Sequence, residues 1–356
     1  MKKVAIIIVN YKDYAKKFLV ECRDSLRNQS YLKENFCVYI VDNDSSAETR
    51  FFITETYPEA KIVVRQDGNY SAANNAGIKK AIDDGCSLFV IANMDTRFDK
   101  DWLSELVKAS KADDIGIVQS KILLYPKTDE EKRHPLINTI GNKMHFLGFG
   151  FTDGYRQKDH EMNESIIEIK GYASGCSLLV KKEVLDKIGI YDEEYYMYHD
   201  DIELCWRTKL AGYTIVLAPK SVVYHRYEFS RSVRMLYFME RNRFLAIFSY
   251  YKLATIMLIL PALIIFEFGM LFFSIIHANL FLRLKIYYYF LKPATWRNIL
   301  RVRKEVAKVR VTSDRDIIKN FAGKIEFCEI ENWILKNLAN PVFNFYWFIA
   351  RKFIIW

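Results

Sequence analysis

Through the first 120 residues, β-branched runs alternate with helical patterns, and this alternation constrains the fold more than any other feature. Val4-Ala-Ile-Ile-Ile-Val9 is apolar at every position, as in a strand buried on both faces of a parallel sheet. Tyr14 to Arg27 then puts Phe18, Leu19, Cys22 and Leu26 on one helical face. The same alternation continues through strands Phe36–Val41, Lys61–Arg65, Ser87–Ala92 and Ile115–Gln119. Helices over Thr49–Thr56, Ser71–Asp84 and Lys100–Ala112 fall between them. The series predicts an α/β fold with a mostly parallel sheet flanked by helices. Ligands of such sheets sit outside the carboxyl ends of the strands. Those ends carry Asn10-Tyr11, Asp42-Asn43-Asp44 and Asn93-Met94-Asp95, and polar groups at three successive ends imply a functional cleft.

The sheet lacks the GxGxxG turn of dinucleotide enzymes and the GxxxxGK[ST] loop of P-loop NTPases. What it offers is carboxylates and amides, which suit a nucleobase, a ribose and a metal-bound diphosphate. A second concentration of chemistry lies in Tyr191–Arg207, where Asp200, Asp201 and Glu203 crowd the start of a helical pattern. Like charges at that spacing raise one another's pKa, which suits a proton-transfer site or a metal and diphosphate site. Asp200 and Glu203 also have the spacing of a helix capping box, and one acid can cap while its neighbour faces a cleft.

In order along the chain, Val9-Asn-Tyr11, Val41-Asp-Asn-Asp-Ser45, Asn74-Asn-Ala-Gly77, Asn93-Met-Asp95, Ser174-Gly-Cys-Ser177, the Tyr191–Arg207 stretch, His225 and Ser230 form one set. Over about residues 3–245 this set resembles an inverting glycosyltransferase of family 2 with the GT-A fold, nearest to bacterial rhamnosyltransferase-like members. The resemblance implies a nucleotide-diphosphate sugar as donor, dTDP-rhamnose or a UDP-sugar. Asp42 would bind the pyrimidine, with Asn10, Tyr11 and Asn43 in the same pocket. Asn74 and Asn75 would touch the donor or cap their helix. Asp95 and His225 would hold Mg²⁺ or Mn²⁺ on the diphosphate, although His225 also reads as a strand-end surface residue. Asp201 falls at the catalytic base, with Asp200 in support or as the base itself. Glu203 and Arg207 would tie the helix down. The chain departs from the family pattern in having Asn-Met-Asp in place of DxD, and Asn69 where glycine is usual. The turn at Asn69 is expected to survive in a left-handed backbone.

Residues 126–164 read as a polar acceptor-side flap, with His134, His145 and His160 as surface or loop residues. The six cysteines are scattered and are expected to be reduced, without zinc, and no signal peptide is read at Met1-Lys-Lys. Charge is concentrated behind this domain. Between Arg283 and Lys324, twelve Lys/Arg stand against three Asp/Glu, which is the whole of the formal +9. That excess argues against nucleic-acid binding by the front of the chain and for an anionic membrane at the rear.

Leu253–Ile276 is long enough to span a bilayer, but Pro261 and Glu267 interrupt it. A re-entrant or interfacial hairpin bent near Pro261 keeps both ends cytoplasmic. The basic helix Trp296–Arg310 would then lie on anionic lipid, and Phe343–Trp356 at the headgroup level. A buried core helix or an oligomer interface is the alternative, because Glu267 is costly in lipid. The expected organisation is a catalytic domain at 1–245, a membrane-associated segment at 246–292 and a basic, aromatic tail at 293–356. The expected acceptor is a lipid-linked saccharide at the cytoplasmic face of the cell membrane, in surface-polysaccharide synthesis. A non-catalytic membrane scaffold and a sugar-phosphate nucleotidyltransferase are the rival functions. The latter would need a Gly-rich basic loop where Asn10-Tyr-Lys-Asp13 stands.

Overall fold

The computed structural model describes residues 3–163, 165–228, 235–276, 279–326 and 333–356. Ser230 and Cys328 lie outside the described residues; the other five cysteines are free thiols. The chain divides into two compact units. One comprises Met1–Asn142, Thr152–Thr208 and Tyr213–Tyr227; the other Lys143–Phe151, Lys209–Gly212 and Glu228–Trp356.

The first unit opens with β1 (Val4–Tyr11), α1 (Tyr14–Arg27), β2 (Phe36–Asn43), α2 (Ala47–Thr56), β3 (Lys61–Arg65) and α3 (Tyr70–Asp83). It continues through β4 (Leu88–Ala92), β5 (Thr96–Phe98), α4 (Trp102–Ala109), β6 (Ile115–Leu124), a single turn α5 (Asp129–Arg133) and β7 (Ile137–Thr139). The short strands β8 (Asn142–Met144) and β9 (Gly150–Thr152) pair with each other. Then come β10 (Ile167–Glu168), β11 (Ser177–Lys181), α6 (Lys182–Ile188), α7 (Asp200–Leu210) and β12 (Thr214–His225). The main sheet runs β10-β12-β6-β11-β4-β1-β2-β3, with β5 on β12 and β7 on β6.

The apolar runs become its central strands: Val4 to Ile8 have no exposed surface, and Leu88 to Ala92 almost none. β1 pairs in parallel with β2 and β4, and β6 with β12, whereas β11 lies antiparallel between β4 and β6. The sheet is therefore mixed. Its parallel strands all end on one side, so Asn10, Asp42, Asn93 and His225 share an edge, and Asn10 is in register with Asp42.

Part of the expected flap is built into structure. Ile137 is buried and β7 pairs with β6, while Lys143–Phe151 belongs to the second unit. His145, expected at the surface, is buried among Phe146, Phe149 and Phe151, and burial pushes its pKa down to about 3. The aromatics that flank it supply a core that a surface loop would lack. His134 and His160 are exposed.

The second unit contains α8 (Leu236–Tyr250), α9 (Leu253–Ile276), α10 (Leu280–Leu291), α11 (Pro293–Val309), α12 (Asp314–Ile318) and α13 (Asn340–Ala350). Phe146 stacks on Trp347 at 4.6 Å, and Trp347 Nε1 donates to the Phe321 carbonyl at 2.9 Å.

The hairpin expected at Pro261 is not formed, for α9 is one helix of 24 residues running through it. Proline removes one helical donor, yet Ile259, Ala262 and Leu263 around it are buried and hold both halves in place. Glu267 is not left bare. Its carboxylate accepts from Arg243 (2.7 Å), Arg283 (3.2 Å) and the Tyr287 hydroxyl (3.2 Å), and Glu240 meets the same two arginines. The remaining surface of α9 is apolar and open, with Met257, Ile265, Phe268 and Phe272 all more than half exposed. Among the described residues, α9 is the one helix long and apolar enough to cross a membrane.

Candidate active site

The candidate site begins at the paired ends of β1 and β2. Asp42 is fully buried, and its carboxylate takes Asn10 Nδ2 (2.8 Å), the Ser45 hydroxyl (2.7 Å) and Arg50 Nε (2.8 Å). Asn10 Oδ1 accepts from the Ala15 amide at 2.8 Å, which fixes the start of α1. Asn43 spans the turn before α3, accepting from Gly68 N (3.1 Å) and donating to the Asn69 carbonyl (3.2 Å). Among these residues Tyr11 offers an open face, 39% exposed.

The turn at Asp67–Asn69 differs from expectation. Gly68 takes the left-handed backbone (φ 68°), and Asn69 (φ −75°) is the N-cap of α3, with its Oδ1 accepting from Ala72 N at 3.0 Å. Asparagine here satisfies an orphan helix amide that glycine could not. Asn74 and Asn75 therefore do not cap the helix. Asn75 holds the approach to α7, donating to the Tyr191 carbonyl (2.9 Å) and Glu193 (3.0 Å) and accepting from Tyr191 N (3.0 Å). Asn74 donates to the Tyr70 carbonyl at 3.1 Å, and its buried Oδ1 has no hydrogen-bond partner among the described residues. Tyr70 in turn donates to Asn93 Oδ1 at 3.3 Å.

Asp95 is buried, receives the Tyr14 hydroxyl at 3.2 Å and faces His225 Nε2 at 3.5 Å. His225 is thus no surface residue. Its Nδ1 lies 2.9 Å from Asn138 Oδ1, a contact that fixes the ring with Nε2 toward Asp95. Burial opposes charge on His225, but Cys176 and Asp95 prevail and raise its pKa well above the ordinary value. One carboxylate and one imidazole suit a divalent ion that takes its other ligands from phosphate and water. Among the described residues no third His, Cys, Asp or Glu completes a protein-only metal site.

The acids of α7 follow a backbone of unusual shape. Tyr196, Tyr198 and His199 all have φ near 60°, a region that L residues occupy at a cost of about 1–2 kcal/mol each. The Tyr196 carbonyl accepts from the amides of Tyr70 (2.8 Å) and Ser71 (3.1 Å), which pins this loop to the start of α3. The Asp201 carboxylate accepts from Gly175 N (3.2 Å) and Ile202 N (2.8 Å). Burial pushes its pKa up to about 6 against the pull of those amides. Asp200 is raised well above the carboxylate range by burial and by Asp201 beside it. Glu203 is drawn away from any capping box into a two-pronged pair with Arg207 (2.6 and 2.8 Å). Arg207 also holds the carbonyls at the end of α6, including Ile190 at 2.9 Å.

The segment Ser174–Ser177 connects the acids to the metal-type pair. Gly175 donates to Asp201, while Cys176 stands by His225 and its carbonyl accepts from Asn93 N at 3.0 Å. Asn138 and the Gly175 amide were not legible as site residues, since each meets its partner far along the chain.

The glycosyl transferase family 2 model matches residues 5–189, just over half the chain. The chain belongs to glycosyl transferase family 2. Among its relatives, a low-salt glycan biosynthesis hexosyltransferase, Agl10 of Haloferax volcanii, is 25% identical over 68% of this chain and 75% of its own. An N-acetylglucosaminyl-diphospho-decaprenol L-rhamnosyltransferase of Mycobacterium tuberculosis is 36% identical over 21% of this chain and 24% of its own. The dTDP-rhamnosyl transferase RfbF of Shigella flexneri is 22% identical over 54% and 61% respectively. Two other relatives are matched over 22% and 17% of their own lengths. The fold is that of GalNAc-T7, solved with UDP, GalNAc and Mn²⁺, at TM-score 0.50 and 13% identity over 64% of this chain and 44% of that one. The family 2 chain is a glycosyltransferase with the GT-A architecture.

Proposed function

We propose that this family 2 glycosyltransferase moves one sugar, with inversion, from a nucleotide-diphosphate donor to a hydroxyl of a lipid-linked saccharide. The observation that carries the reading is the Asp201 carboxylate, held by the amides of Ile202 and Gly175, the latter next to Cys176, which stands by the His225 that faces Asp95. A sugar hydroxyl attacks the anomeric carbon well only as it loses its proton. Asp201 takes that proton, the new C–O bond forms, and the bond to the diphosphate oxygen breaks from the opposite face. Asp200, its pKa raised by burial and by Asp201 beside it, supports position and charge rather than serving as the base. Tyr11 lines the base pocket. Asp42, Asn10 and Asn43 shape its floor, and Asn74 is a further donor-side candidate. Asp95 and His225 would hold a Mg²⁺ or Mn²⁺ ion, which supplies charge neutralisation for the departing diphosphate.

dTDP-rhamnose, the donor in one relative's name, and UDP-sugars are the donors proposed, and a polyprenyl-diphosphate saccharide, as in another relative's name, is the acceptor class. The apolar surface of α9 and the basic residues of α11 support attachment to the cytoplasmic leaflet. The test is a donor screen on detergent-solubilised protein with Mg²⁺, Mn²⁺ or EDTA, beside Asp95→Ala and Asp201→Asn. The expected result is one donor bound in a metal- and Asp95-dependent way, with turnover lost in Asp201→Asn. No donor bound under any metal would sink the reading in favour of a scaffold.

A further inference from the structure

A cavity of about 380 Å³ in the second unit is lined by four cations, Arg315, Lys319, Arg351 and Lys352, and by three isoleucines. Among the described residues none of the four side chains forms a salt bridge with Asp or Glu, and the terminal oxygen of Trp356 accepts from the Arg315 backbone amide at 3.1 Å. The acids nearest in sequence are engaged elsewhere. Asp314 accepts from Arg310 (2.6 Å), Thr255 Oγ1 (2.5 Å) and Lys252 N (2.7 Å), and Asp316 accepts from the Ser313 hydroxyl (2.6 Å). Arg351 and Lys352 lie over the Phe348 ring at 5.7 and 4.2 Å, a contact that positions them without neutralising them. Four like charges around one hollow repel unless an anion joins them.

The apolar surroundings say which kind of anion. Phe353 and Ile355 beside the cations are 62% and 72% exposed, and Phe348 is 49% exposed. Arg351 also lines a second cavity of about 450 Å³ whose walls include Phe321, Phe345 and Trp347. Cations alone would serve a soluble phosphate; cations next to open aromatics match a phosphate that carries a hydrocarbon chain.

We propose that the Arg315–Lys319–Arg351–Lys352 cavity binds the phosphate of an anionic lipid headgroup. The lipid's hydrocarbon lies along the exposed aromatics of α13 and the residues that follow it. The inference rests on the membrane placement proposed above and adds a defined headgroup subsite to it.

The test is flotation of the full chain with vesicles of phosphatidylcholine alone or mixed with phosphatidylglycerol. Lys319→Gln/Lys352→Gln removes two exposed cations, and Lys33→Gln/Lys111→Gln, two exposed cations of the first unit, is the charge-matched control. The cavity variant should partition roughly 30-fold more weakly into the anionic vesicles, about fivefold per cation, and unchanged into neutral ones. The control should lose markedly less. Equal losses in the two variants would reduce the effect to net charge and overturn the subsite. Wild-type protein floating equally with both vesicles would overturn the subsite while leaving membrane attachment standing; flotation with neither would overturn both. A thermal midpoint raised as much by inorganic phosphate as by anionic vesicles would assign the cavity to a soluble anion, against the proposal.

Discussion

Asp201 works as a base only while ionised, and burial sets its pKa at about 6. The expected kcat/KM profile therefore falls about tenfold per pH unit below that value, measured under donor-limited conditions. Asp201→Asn should lower kcat by roughly 10²–10⁴-fold. Its effect on stability has the opposite sign. A carboxyl that holds its proton more tightly when folded stabilises fully below the unfolded pKa, and that contribution disappears as pH rises through about 6. At pH 7.5 the variant should melt no lower than the wild type, so a drop in thermal midpoint would show damage other than loss of the base. His225 permits a second test. Asn138 orients its ring from 87 residues away, so Asn138→Ala should weaken Mn²⁺-dependent donor binding by about 10–100-fold at unchanged melting temperature. An unaltered Mn²⁺ titration would remove Asn138 from the site.

At the level of elements, the start of α3 and the ion cluster of α8–α10 invite the clearest substitutions. Asn69→Ala deletes the α3 cap and a 2.9 Å bond to the Glu193 carbonyl, and should cost about 1 kcal/mol, seen as a fall of about 2–4 °C in melting temperature. Arg283→Ala leaves Glu240 and Glu267 sharing Arg243, and should cost about 3–5 kcal/mol in detergent-solubilised protein. A loss under 1 kcal/mol would mean that water already screens the cluster. The same elements show what the sequence could reveal. Val4–Val9 and Tyr14–Arg27 were legible because burial on both faces, or on one helical stripe, writes its period directly into the residues. β11 was not: five residues between a loop and a helix carry no period of their own, and their antiparallel place depends on β4 and β6. Glu267 read as a penalty because its partners sit 24 residues before and 16 after it. Pro261 read as a bend because packing around it is a tertiary fact.

The chain as a whole sends residues 143–151 out of the sheet's sequence neighbourhood to complete the core of the second unit. There Ala322 N donates to the Met144 carbonyl at 2.7 Å, the Tyr251 hydroxyl donates to Phe146 O at 3.1 Å, and Trp347 covers the Phe146 ring. Cutting the chain after 227 therefore does more than remove a separate C-terminal unit. It strips His145, Phe146, Leu147, Phe149 and Phe151 of the core they were buried in, and about 25 cal/mol per Å² of newly wetted apolar surface acts against the fragment. The fragment 1–227 should be poorly soluble and should bind a hydrophobic dye strongly. Replacing Phe146, Phe149 and Phe151 by serine in that same fragment should restore solubility. The measurement is dye fluorescence beside sedimentation of the two fragments. If the unmodified fragment is monomeric and dark to the dye, Lys143–Phe151 finds cover without the rest of the second unit, and a boundary drawn by chain order alone describes this molecule well enough.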